Sequence, residues 1–536
     1  MNIAVREKRS ERSRFRLIIP SYPAFNIYTE IARVTTALGP LCIATAVSRM
    51  DGWDAEVIDE NNFHANEFLL GKKVDHDRIQ EFRAADVVGL YGGLTSTVPR
   101  LYSIAKSYKA KGALTIAGGQ HFTGDNIEEA LSNGIDYVVM GEGEETIVEL
   151  LRAIGQGKPF EEIKGIAFRN DNGICRTGKR EPLHCFDKFH LPDFSLVHYA
   201  RIKLYPVERI RGCGMECEFC TVKGAPRPST PERFMEQVQT LVETRKARHF
   251  FIVDDLFGQQ REETIRLCRM LREYQEFTGK RLDFTVQIRL DKARDTELLS
   301  AMRKAGINTT AIGFESPIKE DLDSMNKHVR PEEMIAFART YHRYGFLVHG
   351  MFIFGYPSEH QDETRINPLQ RIKAYRRFIR KAKIDTIQVL LPVPLPGTLL
   401  RDRLHDQNRL YGLDDIGWEF YDGNFPVFEP DPPYTAEDIA FCSRKIMGSF
   451  YKFKHFLMVG LHIFSFTSLL FFLNNLDRGW KRWYRQWRNS VIRSGGWILM
   501  RGWATQFKKT SFPVRLQHAR QCLKKAERVP VMVERT

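Results

Sequence analysis

Three cysteines fall within eight residues of the stretch Arg211-Gly-Cys-Gly-Met-Glu-Cys-Glu-Phe-Cys-Thr221, with Cys213, Cys217 and Cys220 spaced C-x3-C-x2-C. Thiolates this close along a chain can enclose a soft metal ion or an iron–sulfur cluster. A structural zinc site usually has four protein ligands in two C-x2-C pairs, and the sequence contains no second pair. Three protein ligands therefore indicate a cluster with one iron left open for a cofactor or substrate.

Downstream of the cysteines, apolar runs alternate with amphipathic helices. Helices are predicted at Gln260–Thr278 and Pro331–Tyr344, among others. The predicted strands are Phe250–Val253, Phe284–Ile288, Thr310–Phe314, Gly350–Phe354 and Thr386–Leu391. This alternation predicts a full or partial parallel (β/α) barrel.

Upstream of the cysteines, a second alternation predicts a doubly wound, Rossmann-like α/β sheet. Its strands are Phe15–Pro20, Ala55–Asp59, Asp86–Tyr91, Ala113–Gly118 and Asp136–Met140, with helices at Leu38–Met50, Val98–Lys111 and Asn126–Ser132. Glycine-bearing loops follow three of these strands: 91–95, 118–121 and 141–144. No G-x-G-x-x-G follows the first strand, which argues against a dinucleotide as the ligand of this sheet.

The cysteine segment, with Phe219 before its last cysteine, resembles the radical S-adenosylmethionine (SAM) superfamily. The resemblance implies a 4Fe-4S cluster held by Cys213, Cys217 and Cys220, and SAM bound at the open iron. It extends to the segments 251–257, 286–289, 311–316 and 349–357, and implies SAM contacts at Phe219, Asp254, Asp255, Gln287, Arg289, Gly313 and Glu315. Each polar residue also has a structural reading, because Asp254, Asp255 and Glu315 can cap helices and Arg289 can pair at the surface.

The upstream sheet resembles the cobalamin-binding domain that precedes the radical domain in one large subclass. The implied cobalamin-binding residues are Asp59, Tyr91, Gly92, Gly93, Thr95, Gly118, Gly119, His121, Gly141, Glu142 and Gly143. The sequence lacks the D-x-H-x-x-G motif that supplies an axial histidine in many cobalamin proteins. We therefore expect no imidazole on cobalt, and expect His121 either to shape the nucleotide-tail pocket or to be a turn residue without cofactor contact.

Together, the two resemblances imply reductive cleavage of SAM, hydrogen abstraction by a deoxyadenosyl radical and methylation of an unactivated carbon. A second SAM would recharge the cobalt. Enzymes resembling the anaerobic oxidative cyclase of chlorophyll synthesis, and ring-forming lipid enzymes, share the architecture without transferring methyl groups. A non-catalytic cobalamin or redox sensor is the third alternative. The expected partners are a small-molecule or lipid-like substrate and an electron donor such as flavodoxin or ferredoxin.

The basic charge is concentrated at the C-terminus. Residues 474–536 hold 15 Lys+Arg against 3 Asp+Glu and five of the seven tryptophans, within a chain of net charge +14. Residues 456–473, immediately before, carry no formal charge. This pattern favours an in-plane membrane anchor, with a helix packed on the protein or a true span as alternatives, and it disfavours nucleic acid as a partner.

The expected organisation is a basic tail (1–14), a cobalamin-binding domain (15–168), a linker (169–205), a radical SAM domain (206–425) and a helical C-terminal region (426–536). Nine scattered or clustered cysteines in 536 residues are too few for a disulfide-stapled secreted protein. The N-terminal stretch has no long apolar segment typical of a signal peptide. We expect a cytoplasmic enzyme, peripheral on the inner face of the membrane if the tail binds lipid.

Overall fold

The computed structural model describes residues 12–64, 74–327, 329–358, 366–464 and 476–527. The chain divides into two compact units. The first contains Met1–Phe284, Pro394–Arg403 and Gly417–Asp422, and the second contains Thr285–Val393, Leu404–Ile416 and Gly423–Thr536. The first unit therefore includes both the upstream sheet and the cysteine segment.

An eight-stranded sheet forms the core of the first unit, in the order β7-β6-β5-β4-β3-β1-β2-β8. Its strands are β1 (Ser13–Ile19), β2 (Trp53–Asp59), β3 (Val87–Tyr91), β4 (Leu114–Gly118), β5 (Tyr137–Val139), β6 (Ile166–Asn170), β7 (Gly173–Arg176) and β8 (Val197–His198). The strands β5-β4-β3-β1-β2 are parallel, while β6 and β7 are antiparallel. Residues 169–205, expected to be a linker, thus contribute β7 and β8.

The strand order reverses direction at β1, because β2 pairs with one edge of β1 and β3 with the other. In doubly wound sheets, ligands bind beyond the carboxyl ends of the strands at such a switch point. The loops after β3, β4 and β5 lie at this end of the sheet. The predicted doubly wound topology is confirmed.

A buried ion-pair network lies within this sheet. Arg16 on β1 is fully buried, and its Nε donates a hydrogen bond to Glu56 Oε1 at 2.6 Å. Arg83 Nε donates to the second oxygen of Glu56, also at 2.6 Å. Burial would raise the pKa of Glu56, but Arg16 and Arg83 more than offset it and lower the pKa.

The rest of the first unit surrounds the cysteine segment. Strand β9 (Leu204–Val207) pairs in parallel with β12 (His249–Phe257), and β10 (Ile210–Arg211) pairs antiparallel with β11 (Arg227–Pro228). In the second unit the strand order is β16-β15-β14-β13. Those strands are β13 (Asp283–Ile288), β14 (Ile307–Glu315), β15 (Leu347–Ile353) and β16 (Thr386–Leu390), and β14, β15 and β16 are parallel.

The α-helices, in chain order, are as follows. They are α1 (Thr29–Ala32), α2 (Leu38–Ser48), α3 (His76–Phe82), α4 (Val98–Ala110), α5 (Asn126–Ser132), α6 (Glu144–Gln156), α7 (Pro231–Arg245), α8 (Arg261–Thr278), α9 (Thr296–Lys304), α10 (Lys319–Ser324), α11 (Pro331–Arg343), α12 (Pro368–Ala382), α13 (Leu399–Asp406), α14 (Leu413–Ile416), α15 (Ala436–Phe450), α16 (Lys454–Phe464), α17 (Leu476–Phe507) and α18 (Phe512–Glu527). The predicted helical C-terminal region is confirmed. In the described ranges, none of these helices combines the length and hydropathy needed to cross a bilayer.

Candidate active site

The cysteine segment is a loop closed at its base by the β10–β11 ribbon. Gly212 opens the loop with φ of 84°, and a Cβ there would lie 2.7 Å from the carbonyl oxygen of Ala225, so only glycine fits. Further along, Gly214 N–H donates to the Gly224 carbonyl at 3.0 Å. The backbone therefore fixes a compact loop that carries all three cysteines and the half-buried Phe219.

The three thiols lie near one another on this loop. Burial raises the pKa of Cys220, and the nearby Cys213 and Cys217 raise it further. Three neighbouring thiolates with no fourth cysteine in the loop are consistent with the predicted cluster.

Two adjacent aspartates at the end of β12 support the cysteine loop from opposite faces of the strand. Asp254 has 0% exposure, and its Oδ1 accepts hydrogen bonds from the backbone N–H groups of Arg209 (2.6 Å) and Ile210 (3.0 Å). Burial raises its pKa to about 7. Asp255 is exposed and its Oδ2 accepts from Gly212 N–H at 2.7 Å. Asp255 can reach a ligand at the loop, whereas Asp254 anchors the chain leading into it.

Acidic residues after β5 hold the basic residues that flank the cysteine loop. Glu142 accepts hydrogen bonds from both terminal nitrogens of Arg227, at 2.9 and 2.8 Å, and from Leu183 N–H at 2.8 Å. Glu144 pairs with Arg211 at 2.8 Å. Burial alone would lower the pKa of Arg211, but Glu208 and Glu144 more than offset it and raise the pKa. The segment 141–144 thus joins the upstream sheet to the loop, and the carboxylate of Glu142 is already engaged by protein groups.

The glycine loops after β3 and β4 are bonded to each other. Gly92 N–H donates to the Gly118 carbonyl at 2.7 Å, and His121 N–H donates to the Gly92 carbonyl at 3.1 Å. Gly119 has φ of 129°, and a Cβ there would lie 2.5 Å from the backbone carbon of Gly92. This close approach brings together Tyr91, Gly92, Gly93, Thr95, Gly118, Gly119 and His121, which the sequence placed on separate loops.

The β4 loop also contacts the cysteine loop, through the hydrogen bond from Thr221 Oγ1 to Gln120 Oε1 at 2.9 Å. Both loops belong to the first unit. The predicted cobalamin-binding loops therefore border the predicted cluster.

His121 is unsuited to bind a metal. It is 1% exposed, with Nδ1 3.3 Å from Thr95 Oγ1 and Nε2 3.4 Å from the side-chain nitrogen of Asn126. Trp418 packs edge-on against its ring with centroids 4.9 Å apart. Burial, together with the charge of Arg401, lowers its pKa to about 3. The imidazole is thus neutral and enclosed by protein groups, and its part in shaping a nucleotide-tail pocket stays a prediction.

Asp59, at the end of β2, is also committed to protein contacts. It is 3% exposed, its Oδ2 accepts from Thr36 Oγ1 at 2.8 Å, and its Oδ1 accepts from Asn61 N–H at 2.9 Å. Burial raises its pKa to about 6. This geometry fixes the turn after β2 and leaves the Asp59 carboxyl group buried and bonded to protein groups.

The remaining predicted SAM contacts lie in the second unit. Gln287 lies on β13 and Arg289 follows it, where the guanidinium of Arg289 pairs with Asp291 at 2.7 Å. Glu315 ends β14 with a left-handed φ of 56°, a conformation that costs a non-glycine residue free energy.

Lys327 stabilises this end of β14. Its Nζ forms an ion pair with Glu315 and donates a hydrogen bond to the Gly313 carbonyl at 2.8 Å. The structure therefore holds Gly313 and Glu315 together in one polar turn.

Several residues at the site were not identified from the sequence. They include Arg211, Arg227, Glu144 and Glu208, together with Gln259, whose Nε2 donates to the Cys213 carbonyl at 3.2 Å. The sequence did contain a signal for these residues, which is complementary charge. Arginines lie on both sides of the cysteines, and carboxylates follow β5. Their pairing spans up to 85 residues of chain, however, and depends on the fold.

Two family models match the chain. The model described as the B12 binding domain matches residues 27–151, and the model described as the radical SAM superfamily matches residues 207–366. The matched ranges contain the glycine loops and the cysteine loop, respectively.

Curated relatives align over much of this length. An uncharacterized methyltransferase of Pyrococcus horikoshii is 27% identical over 378 residues, which cover 68% of this chain and 78% of the relative. A hopanoid C-2 methylase of Rhodopseudomonas palustris is 28% identical over 232 residues, 42% of each chain. An anaerobic magnesium-protoporphyrin IX monomethyl ester cyclase of Rubrivivax gelatinosus is 24% identical, covering 63% of this chain and 62% of the relative.

Solved structures share the fold at low sequence identity. The cobalamin-dependent SAM radical enzyme OxsB, with aqua-cobalamin and SAM bound, matches with a TM-score of 0.62 and 13% identity, covering 97% of this chain and 82% of that chain. The radical SAM methyltransferase TsrM of Kitasatospora setae, with cobalamin and a [4Fe-4S] cluster bound, matches with a TM-score of 0.59 and 16% identity, covering 74% and 78%.

Proposed function

As a radical SAM enzyme with an N-terminal B12-binding domain, the chain belongs to the cobalamin-dependent branch of the radical SAM superfamily, and we propose that it methylates an unactivated carbon of an apolar or lipid-like substrate. When bound, the cluster with SAM supplies a substrate radical, and cobalamin supplies the methyl group. In this proposal Cys213, Cys217 and Cys220 hold the cluster, Asp255 lies at its edge, and the β3 and β4 loops receive cobalamin.

One observation supports the methyl-transfer proposal: the cysteine loop and the glycine loops of the B12-binding domain lie in the same compact unit and are bonded directly. The Glu142–Arg227 and Glu144–Arg211 pairs and the Thr221–Gln120 hydrogen bond connect the B12-binding domain to the cysteine loop. Methyl transfer to a carbon radical needs the methyl donor and the radical source to be close at the same moment. Direct contacts between the two loops support that requirement.

The proposed substrate class rests on separate grounds. One relative is named a hopanoid C-2 methylase, so an apolar substrate occurs among similar proteins. This chain also exposes a helix of apolar residues, α16, to solvent. We propose a flavodoxin or ferredoxin as the electron donor and the inner face of a membrane as the place of action.

The reaction is tested by purifying the protein anaerobically, reconstituting it with iron, sulfide and cobalamin, and supplying SAM, a low-potential reductant and lipid extract. Methyl transfer predicts equal amounts of S-adenosylhomocysteine and 5′-deoxyadenosine. Deoxyadenosine alone would favour a cyclase-type reaction, which the similarity to the magnesium-protoporphyrin cyclase makes the second candidate. If the cluster is intact but SAM is not turned over, the remaining candidate is a non-catalytic cobalamin or redox sensor.

A matched pair of variants tests the cluster assignment. Cys217→Ala should abolish the visible absorbance of the reconstituted cluster. Cys185→Ala, which removes an exposed free thiol outside the loop, should retain it. Comparing lipid extracts of cells with and without expression of the active protein would identify the methylated product.

A further inference from the structure

We infer that α16, with the exposed face of α17, docks on the surface of an anionic lipid bilayer. This inference concerns where the protein binds, and it does not depend on the proposed reaction.

Helix α16 has no buried residue over Lys454–Phe464. Its large apolar side chains are 39% to 85% exposed, and these are Phe456, Leu457, Met458, Leu461, Ile463 and Phe464. Water-soluble proteins rarely display contiguous apolar surface of this kind without a binding role. The exposed apolar surface of α16 therefore indicates an apolar binding partner other than this chain.

Helix α16 is bonded to α17, while its apolar side chains remain exposed to solvent. Trp483 Nε1 on α17 donates to the His462 carbonyl at 3.0 Å, and the rings of Phe453 and Trp497 lie 5.2 Å apart. Helix α17 is in turn fixed to the second unit, because Asn489 Nδ2 donates to Asp385 Oδ1 at 2.8 Å. The apolar surface is thus displayed on an anchored scaffold.

Helix α17 extends this surface along one face. Tyr484, Val491 and Ile498 are all exposed, and they are spaced seven residues apart, which places them on one side of a helix. Leu499 is exposed beside them. Ser490 and Ser494, at neighbouring positions round the helix, are buried against the protein.

The charge around this surface selects an anionic bilayer over a second copy of the chain. Lys452, Lys454, Arg485 and Arg501 are exposed on or next to these two helices. A second copy would present the same positive charge and be repelled. Anionic headgroups complement it, and tryptophan is favoured at the lipid–water interface.

The geometry fits a helix lying in the membrane plane. The described part of α16 is eleven residues and about 16 Å long, and no helix among the described residues is long and apolar enough to cross a bilayer. The apolar run continues in sequence to Leu473, and residues 465–475 lie outside the described residues. The proposed surface uses only the described part.

The test is flotation of the full-length, cofactor-loaded protein with vesicles of phosphatidylcholine alone or mixed with phosphatidylglycerol. We expect binding to the anionic vesicles, weakened by high salt because headgroup attraction is screened. The double variant Leu457→Ser/Leu461→Ser should lower the bound fraction by about tenfold or more, since less apolar area enters the interface.

The matched control is Leu369→Ser, which removes an equally exposed leucine (63%) on α12 and should bind as the unmodified protein does. Absence of flotation, or equal loss in the control, would overturn the inference. A concentration-dependent dimer that the double variant dissociates would assign the surface to a second copy instead. If the double variant still forms 5′-deoxyadenosine, its loss of vesicle binding is not caused by a loss of SAM cleavage.

Discussion

Replacing Asp254 by asparagine should leave SAM binding intact and make protein stability less dependent on pH. The carboxyl group is fully buried and accepts two backbone hydrogen bonds, from Arg209 and Ile210. Asparagine keeps an acceptor oxygen in the same position but has no charge to bury. If Asp254 bound SAM through its charge, the asparagine variant would bind SAM more weakly than the unmodified protein does.

The magnitude follows from the raised pKa of Asp254, from 3.8 to about 7. Between these values the folded protein retains a proton that the unfolded chain has released. The neutral carboxyl therefore contributes stability that is fully present below pH 3.8 and is lost as pH rises through about 7. Between about pH 5.5 and pH 8, the unmodified protein should lose about 2 kcal/mol relative to the asparagine variant.

The assay is urea unfolding of both proteins at these two pH values, followed by tryptophan fluorescence, with SAM binding measured by calorimetry. Asp254→Ala is the complementary variant, because it leaves two buried N–H groups without an acceptor and should be less stable than Asp254→Asn by about 3 kcal/mol at either pH. Asp255→Asn, at the exposed neighbour, should instead weaken SAM binding with little effect on stability.

The reasoning fails if Asp254→Asn reduces SAM affinity as strongly as Asp255→Asn does. It also fails if the stability difference between Asp254→Asn and the unmodified protein stays constant across the pH range. The first result would place Asp254 at the ligand, and the second would mean that its carboxyl group is ionised throughout.

Three further variants test the supporting structure. Glu142→Gln removes the charge that holds the arginines flanking the cysteine loop, and should lower the free energy of unfolding by about 2 kcal/mol and alter the electron paramagnetic resonance spectrum of the reduced cluster. Glu56→Gln leaves Arg16 buried without a charged partner and should cost about 3 kcal/mol in urea unfolding; a loss below the error would contradict the buried pair. Gly119→Ala forces the β3 and β4 loops apart and should lower cobalamin uptake measured by absorbance, whereas Gly155→Ala, where a Cβ meets no atom within 4 Å, should not.

The secondary structure was largely predictable because parallel strands buried on both faces form continuous apolar runs. The predicted helix at Asn126–Ser132 is confirmed with the same bounds, and the strands agree within a few residues. Among the predicted strands the largest difference is β12, which extends to Phe257 instead of ending at Val253, and the short strands β6 to β11 were not predicted.

The two aspartates also show which properties of a site residue the local sequence predicts and which it does not. Neighbouring residues on a strand point to opposite faces, so Asp254 and Asp255 could not both have faced a ligand. That rule was available from the sequence. Which of the two is buried depends on the packing of β9 and β10 against the strand, and no local signal supplies it.

The acidic loop after β5 was assigned to cobalamin on the strength of its glycines. In the structure the carboxylate of Glu142 accepts hydrogen bonds from Arg227 and Leu183 instead. The contacts of the flanking glycines with cobalamin stay a prediction. A pairing between residues 142 and 227 is a long-range property of the fold. It could have been suspected from charge alone, but not assigned.

The compact units do not coincide with the regions that the two family models match. The first unit runs through the B12-binding region and the cysteine loop without interruption, and ends only at Phe284. Exchanging the cobalamin-binding domain for that of a relative would therefore separate Glu142 and Glu144 from their partners Arg227 and Arg211. A chimaera that keeps these ion pairs has to carry the acidic loop after β5 together with the cysteine loop and its flanking arginines.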